Sequence, residues 1–134
     1  MKFTEFNLNQ NLLQGIEDAG FTDCLPVQER TIDQVLLGKD VMVQSQTGSG
    51  KTAAFLVPIF ELFSREAYKN SKRALIIAPT RELAVQIEDE AKLLGSHLNI
   101  RTGCFYGGVG YERQEHLLNK GVDVVIGTPG RLID

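Results

Sequence analysis

The sequence predicts an α/β domain in which helices flank a parallel sheet. Short apolar runs of strand length alternate with longer segments of helical periodicity, which is the spacing of βαβ units. A glycine-rich loop joins the first of these runs to the helical segment that follows it. The 134 residues, of which 43% are hydrophobic and 23% charged, are enough for one ordinary globular domain with its own core.

Two helices are predicted in the N-terminal segment. Asn9 is the expected N-cap of a helix that runs to about Ala19 and ends at Gly20. A second helix is expected at residues 27–37, directly after a proline, and Gly38 ends it. Each of these two helices therefore has a glycine as its expected stop.

Strands are expected only in the later part of the chain, where the apolar runs are short and bounded by polar or glycine residues. The expected strands are residues 41–44, 74–78, 101–106 and 122–126. The expected helices between them are residues 51–65, 81–94 and 111–119. Because strands joined by helical crossovers run parallel, this order predicts a parallel sheet.

Composition excludes several classes of protein. The formal charge is −3, from 14 basic and 17 acidic residues, so a broad basic surface for nucleic acid is not expected and phosphate binding must be local. Cys24 and Cys104 lack the spacing of a metal or redox pair and are expected to be reduced. The apolar runs are far shorter than the roughly 20 residues that span a bilayer, and the first residues lack a secretory pattern. The expected location is the cytoplasm.

A phosphate-binding loop is expected between the first strand and the next helix. Gly48 and Gly50 give the backbone the freedom to surround a phosphate with N–H groups, and the Lys51 ammonium can reach the β- and γ-phosphates. The Thr52 hydroxyl is placed to bind Mg²⁺. A glycine-rich turn with a chance lysine is the alternative, but strand, loop, lysine and helix occur in the required order. The loop comprises Ser45, Gln46, Thr47, Gly48, Ser49, Gly50, Lys51 and Thr52, with Ser45 in place of the usual first glycine.

Residues 20–28 could recognise a base. The Gln28 amide offers one donor and one acceptor, which suits the edge of adenine and mismatches guanine. Phe21 could stack on the base. From the residues alone, two alternatives stay open: a buried Phe21 at a helix corner and a Gln28 on a solvated helix face.

The motifs together resemble those of the DEAD-box ATP-dependent RNA helicases. Phe3 resembles the aromatic residue upstream of the family's Q motif, and later segments match the family's motifs in order and spacing. The resemblance covers essentially the whole chain. The matching segments are the Q motif at 20–28, motif I at 45–52, motif Ia at 79–84, the double glycine at 107–108 and motif Ib at 128–131.

This resemblance implies a RecA-like P-loop NTPase domain that uses ATP and Mg²⁺ and binds RNA. It implies that Phe21 stacks on adenine, that Gln28 reads its edge and that residues 45–52 hold the phosphates. Lys51 and Thr52 would be catalytic, and Thr52 would also bind the metal. The implied RNA contacts are Pro79, Thr80, Arg81, Gly107, Gly108, Thr128, Pro129, Gly130 and Arg131.

The expected RNA motifs have a physical rationale of their own. Thr80 and Thr128 each follow a strand and precede a helix start, where backbone N–H groups lack intrahelical partners; a plain helix cap is the alternative. Arg81 in a first helical turn is disfavoured by the helix dipole, so an anionic partner is expected, either phosphate or carboxylate. Loops at the carboxyl ends of parallel strands share one rim. Because backbone contacts carry no base information, RNA binding is expected to be sequence-independent and salt-sensitive.

One departure and one gap separate the chain from the family pattern. Cys24-Leu25-Pro26 stands where the family usually has Pro-Thr-Pro, so Phe21 is expected to be held less firmly and adenine more weakly. The resemblance implies that the Asp-Glu-Ala-Asp motif, the Ser-Ala-Thr motif and a second RecA-like domain with an arginine finger lie outside these residues. This chain alone is therefore expected to bind adenine nucleotide without turnover, and to be incomplete at its C-terminal side and prone to self-association.

Two other functions compete with a helicase. A non-catalytic nucleotide- or RNA-binding module would use the same loops as binding surfaces only. A P-loop kinase or GTPase would need a nucleoside acceptor site or a guanine reader, and it would leave Gln28 and Arg81 unexplained.

Overall fold

The computed structural model describes residues 2–44, 50–65, 73–106 and 121–130. The chain divides into two compact units. The helical unit comprises Met1–Asn70 with Leu93–Leu98, and the sheet unit comprises Ser71–Lys92 with Asn99–Asp134. The predicted helix at 111–119 lies outside the described residues.

The helical unit contains α1 (Gln10–Asp18), α2 (Pro26–Leu36) and α3 (Lys51–Phe63), preceded by a 3₁₀ turn at Phe3–Glu5 that the sequence did not predict. Asn9 caps α1 as expected, because its side-chain oxygen accepts the N–H groups of Asn11 at 2.8 Å and Leu12 at 3.4 Å. Pro26 opens α2. The sequence therefore correctly indicated where the first two helices begin, through Asn9 and Pro26.

The core of the helical unit is built on α3. Most of its apolar side chains are buried, and both α1 and α2 contact it. Leu12 and Ile16 of α1 and Ile32 of α2 are fully or almost fully buried. Each of the first two helices therefore contributes apolar side chains to this core.

A buried carboxylate joins the start of α1 to α3. Glu61 is 6% exposed. Its Oε1 accepts the Asn9 backbone N–H at 2.7 Å, and its Oε2 accepts the Arg65 Nε–H at 3.3 Å.

Replacing Glu61 with alanine is expected to lower the free energy of unfolding by about 1.5–3 kcal/mol, because the Asn9 N–H loses a charged acceptor. Urea unfolding measures this loss. The exposed Glu17→Ala variant is the control, and an equal effect in the two variants would contradict the role assigned to Glu61.

The sheet unit contains β1 (Ala74–Ile77), β2 (Thr102–Phe105), β3 (Val124–Gly127) and α4 (Arg81–Leu94) as far as Lys92, and α4 connects β1 to β2. The strand order is β1-β3-β2 and both pairings are parallel, which confirms the predicted α/β class. The bounds of α4 are those predicted. The strands differ from their predicted bounds by one or two residues.

The predicted strand at 41–44 is wrong. These residues form no strand, and Met42 is 99% exposed. A strand is stabilised by the backbone hydrogen bonds of a neighbouring strand, and among the described residues the strands that pair lie at 74–77, 102–105 and 124–127. An apolar run alone therefore did not suffice to make a strand here.

The two thiols are free, as the spacing of the cysteines indicates. Burial raises the pKa of Cys24 and that of Cys104 to about 11, so both are protonated at neutral pH. None of the helices in the described part of the chain has the length and hydropathy to cross a membrane.

Candidate functional site

The start of α3 carries the described end of the predicted phosphate-binding loop. Gly50 has φ +78°, in the left-handed region, and its carbonyl accepts the Ala54 N–H at 3.1 Å as the first acceptor of the helix. Lys51 and Thr52 follow as the first helical residues, and both are partly exposed. Helix starts of this kind are suited to bind phosphate. Ser45, Gln46, Thr47, Gly48 and Ser49 lie outside the described residues.

Gln28 lies in the interior of the helical unit, against the loop glycine. Its side chain is 0% exposed. Its Oε1 accepts the Leu25 backbone N–H at 2.8 Å, and its Nε2 donates to the Gly50 carbonyl at 3.3 Å. The solvated-face interpretation is therefore wrong. Each end of the amide has one bond to the backbone, which leaves one N–H and acceptor capacity for a ligand.

Gly50 is required by close approach as well as by its backbone angle. A Cβ at this position would lie 2.6 Å from Gln28 Nε2 and 3.2 Å from Leu25 Cδ1. The carbonyl that Gln28 holds belongs to the residue directly before Lys51. The amide therefore connects the end of the 20–28 segment to the beginning of α3.

Phe21 is half-buried at the other end of the same segment. Its ring packs edge-on against Phe3, with centroids 6.2 Å apart, and Phe3 is 2% exposed. A cleft of about 360 Å³ lies beside the two rings and is lined by residues of α1 such as Leu13 and Glu17. Part of the Phe21 ring is open to this cleft, so the fully buried interpretation of Phe21 does not hold.

The departure at Cys24-Leu25-Pro26 preserves the hydrogen bond to Gln28. The donor is the backbone N–H of Leu25, which any residue except proline supplies. The Leu25 side chain is 44% exposed. The departure from the family pattern therefore leaves this support of Gln28 in place.

Six of the predicted RNA-binding residues are described, and they follow strand ends at one edge of the sheet unit. The parallel register sets Ile77, Phe105 and Gly127 side by side as the last residues of their strands. The segments that follow these residues therefore emerge at the same edge. The described members of the predicted set at this edge are Pro79, Thr80, Arg81, Thr128, Pro129 and Gly130. Gly107, Gly108 and Arg131 lie outside the described residues.

Thr80 caps α4. Its Oγ1 accepts the Leu83 N–H at 3.2 Å, and its carbonyl accepts the Ala84 N–H at 3.1 Å. The Thr128 N–H donates to the Phe105 carbonyl at 3.0 Å, and Pro129 begins a helical backbone. The capping interpretation is thus confirmed for Thr80, and the cap leaves the exposed helix start open to an anion.

The Arg81 guanidinium lies over an aromatic ring. Its central carbon is 5.6 Å from the centroid of the Tyr106 ring, within the range of a cation–π contact. The sequence predicts an anionic partner for Arg81, and Tyr106 was not among the predicted site residues. The available signal was an aromatic residue at a strand end, directly before the double glycine.

The family follows from comparison with known proteins. The family model described as "DEAD/DEAH box helicase" matches residues 25–134. This chain belongs to the DEAD/DEAH box helicase family.

Relatives and solved structures agree with this membership. The ATP-dependent RNA helicase RhlB of Xanthomonas oryzae pv. oryzae is 51% identical over 137 residues, which cover 98% of this chain and 24% of that protein. The crystal structure of a DEAD box protein from Methanococcus jannaschii has a TM-score of 0.89 and 38% identity, and the match covers 100% of this chain and 36% of that one. For a hypothetical ATP-dependent RNA helicase from Sulfolobus tokodaii the TM-score is 0.85 and the identity 37%, over 95% and 36% of the two chains. This chain therefore spans about a quarter to a third of the proteins it matches, and its fold is the RecA-like domain of this helicase family.

Proposed function

We propose that this chain is the ATP- and RNA-binding part of a DEAD-box ATP-dependent RNA helicase that unwinds or remodels RNA. Family membership and relatives named ATP-dependent RNA helicase support the proposal. Since the chain spans 24% of the Xanthomonas relative, strand separation is proposed for a whole protein of which these residues form one part. The cofactors are ATP and Mg²⁺.

The hydrogen bond from Gln28 to the Gly50 carbonyl is the observation that supports the proposed nucleotide binding. The residue proposed to read adenine is thereby bonded to the residue that precedes the proposed phosphate-binding lysine. The Phe21 ring would supply the stacking surface. Because Gln28 is fully buried, contact with a base requires the surrounding loops to open, after which its remaining N–H and acceptor capacity can pair with the adenine edge.

The phosphates and the metal would be held at the start of α3. Lys51 places an ammonium in the first helical turn, and the helix dipole adds partial positive charge at the same point. Thr52 is the next residue, with a hydroxyl that can bind Mg²⁺. Residues 45–49 would complete the cradle.

The RNA half is proposed for the edge of the sheet unit where Thr80, Arg81 and Thr128 lie. Exposed helix starts and one exposed guanidinium offer donors to phosphate oxygens. The net charge of −3 agrees with such a local site, since it does not support a broad basic surface.

RNA binding tests this half of the proposal. We expect labelled single strands of one length and unrelated sequence to bind this chain with similar affinity and to weaken together as salt rises, measured by fluorescence anisotropy. Arg81→Ala is expected to reduce the slope of log K against log salt by about one. Arg73→Ala removes the same charge from the opposite end of β1 and should leave the slope unchanged. A strong preference for one sequence, or equal losses in the two variants, would contradict the proposal.

Three finer predictions from the sequence stay predictions: the absence of ATP turnover by this chain alone, self-association, and a cytoplasmic location. Leu75 and Ile77 support the second of these. They are 62% and 59% exposed on β1, which is an outer strand of the described sheet.

A further inference from the structure

Tyr106 is the residue directly after β2, at the carboxyl edge of the sheet unit. Its ring is partly exposed and lies 5.6 Å from the guanidinium carbon of Arg81. Arg81 is the first residue of α4, 25 positions earlier in the chain. The parallel register of β1, β3 and β2 brings the carboxyl ends of β1 and β2 to the same edge. Arg81 comes after the end of β1, and Tyr106 comes after the end of β2.

The aromatic contact addresses the difficulty of a cation at a helix start. The helix dipole disfavours a positive charge in the first turn, whereas the face of an aromatic ring attracts one. A flexible arginine at the surface otherwise samples many rotamers, and binding would have to overcome that freedom. Contact with the ring restricts the guanidinium while its N–H groups, which point outward in the guanidinium plane, stay available to an oxygen ligand.

We propose that Tyr106 is a positioning residue that holds the Arg81 guanidinium ready for a phosphate of the RNA backbone. The proposal rests on the RNA half of the proposed function and deepens it. The ring acts through Arg81, so its contribution depends on the arginine. The contact is with a phosphate, so it carries no base preference.

The test is a double-mutant cycle in the full 134-residue chain, with RNA affinity measured by anisotropy on a labelled single strand. Tyr106→Leu removes the aromatic face and should weaken RNA binding by about two- to fivefold, as for an exposed cation–π contact. Tyr106→Phe keeps the face and should bind as the wild type does. Arg81→Ala should weaken binding further, and adding Tyr106→Leu to it should cause no additional loss.

Each outcome decides the proposal. Additive losses from Arg81→Ala and Tyr106→Leu would mean that the ring contacts RNA by itself, and they would overturn the positioning role. Equal losses from Tyr106→Phe and Tyr106→Leu would assign the effect to the hydroxyl and overturn it as well. A wild-type chain that binds RNA while Tyr106→Leu binds equally well would sink this inference alone. A wild-type chain that binds no RNA would sink the proposed function.

A second measurement keeps the inference testable if Tyr106→Leu unfolds. In the free chain, the side-chain protons of Arg81 should show ring-current shifts in the NMR spectrum, and these should persist in Tyr106→Phe. Tyr106→Met, which is flexible and apolar, should abolish them. Arg81 resonances at ordinary positions in the wild type would overturn the contact itself.

Discussion

Replacing Lys51 with alanine is expected to lower the affinity of this chain for Mg·ADP by about tenfold to a hundredfold, because hydrogen bonds to charged groups contribute about 1.5–3 kcal/mol. Lys51 is the first residue of α3, directly after the left-handed Gly50. In the proposed site its ammonium and the helix start bind the same phosphates, so the variant should lose phosphate contacts and keep the base contacts. Calorimetric titration measures the change.

The control for Lys51→Ala is Lys39→Ala. Lys39 is an exposed lysine of the same unit, just after α2. Both variants replace a lysine with alanine, so they change the net charge equally. The free energy of unfolding, measured in urea, should be the same for both variants. Equal affinity of the two variants for Mg·ADP would contradict the assignment of Lys51 to the phosphates.

Substitutions of Gln28 should reduce both the stability of the chain and its affinity for nucleotide. Gln28→Leu and Gln28→Glu should differ in how their stability depends on pH, and that difference identifies the role of the amide. In Gln28→Leu the Leu25 N–H and the Gly50 carbonyl both lose a buried partner, and the free energy of unfolding should fall by about 1–3 kcal/mol. If the Gln28 side chain only filled space in the core, leucine would replace it without a loss of stability. The exposed Gln10→Leu variant is the control and should be nearly neutral.

Gln28→Glu adds a dependence on pH. The protonated carboxyl can accept from Leu25 and donate to the Gly50 carbonyl, as the amide does, whereas the ionised form places a buried charge against that carbonyl oxygen. The pKa of the introduced carboxyl should therefore be raised by folding. A raised pKa gives stability that is present below the unfolded value of about 4.3 and is lost as the pH rises through the folded pKa. Urea unfolding should show a larger deficit at pH 8 than at pH 5, and the deficit of Gln28→Leu should not vary. Equal deficits of Gln28→Glu at the two pH values would contradict the geometry.

Local signals in the sequence predicted the four described α-helices well. Asn9 caps α1 through its own neighbours, and α4 begins after Thr80 and ends at Leu94 because periodicity and capping involve residues a few positions apart. The strand expected at 41–44 failed because strand formation depends on a partner distant in sequence. An apolar run does not reveal whether that partner exists.

The residue types of the candidate site were predictable, but their partners were not. Gln28 and Gly50 are 22 positions apart, so neither the burial of the amide nor the use of its donor could be deduced from the segment 20–28. Tyr106 was missed for the same reason. Its proposed role depends on the parallel register that brings the end of β2 close to the start of α4.

The central claim, an adenine nucleotide site supported by Phe21, Gln28 and Lys51, is tested most directly by calorimetric titration of the wild-type chain with Mg·ADP and, in parallel, Mg·GDP. Both nucleotides carry the same phosphates, so the comparison separates recognition of the base from binding at α3. The guanine edge presents two acceptors where adenine presents one donor and one acceptor. We predict that Mg·ADP binds and Mg·GDP does not. Equal binding of the two nucleotides would remove Gln28 as the selector, and no binding of either would contradict the site as a whole.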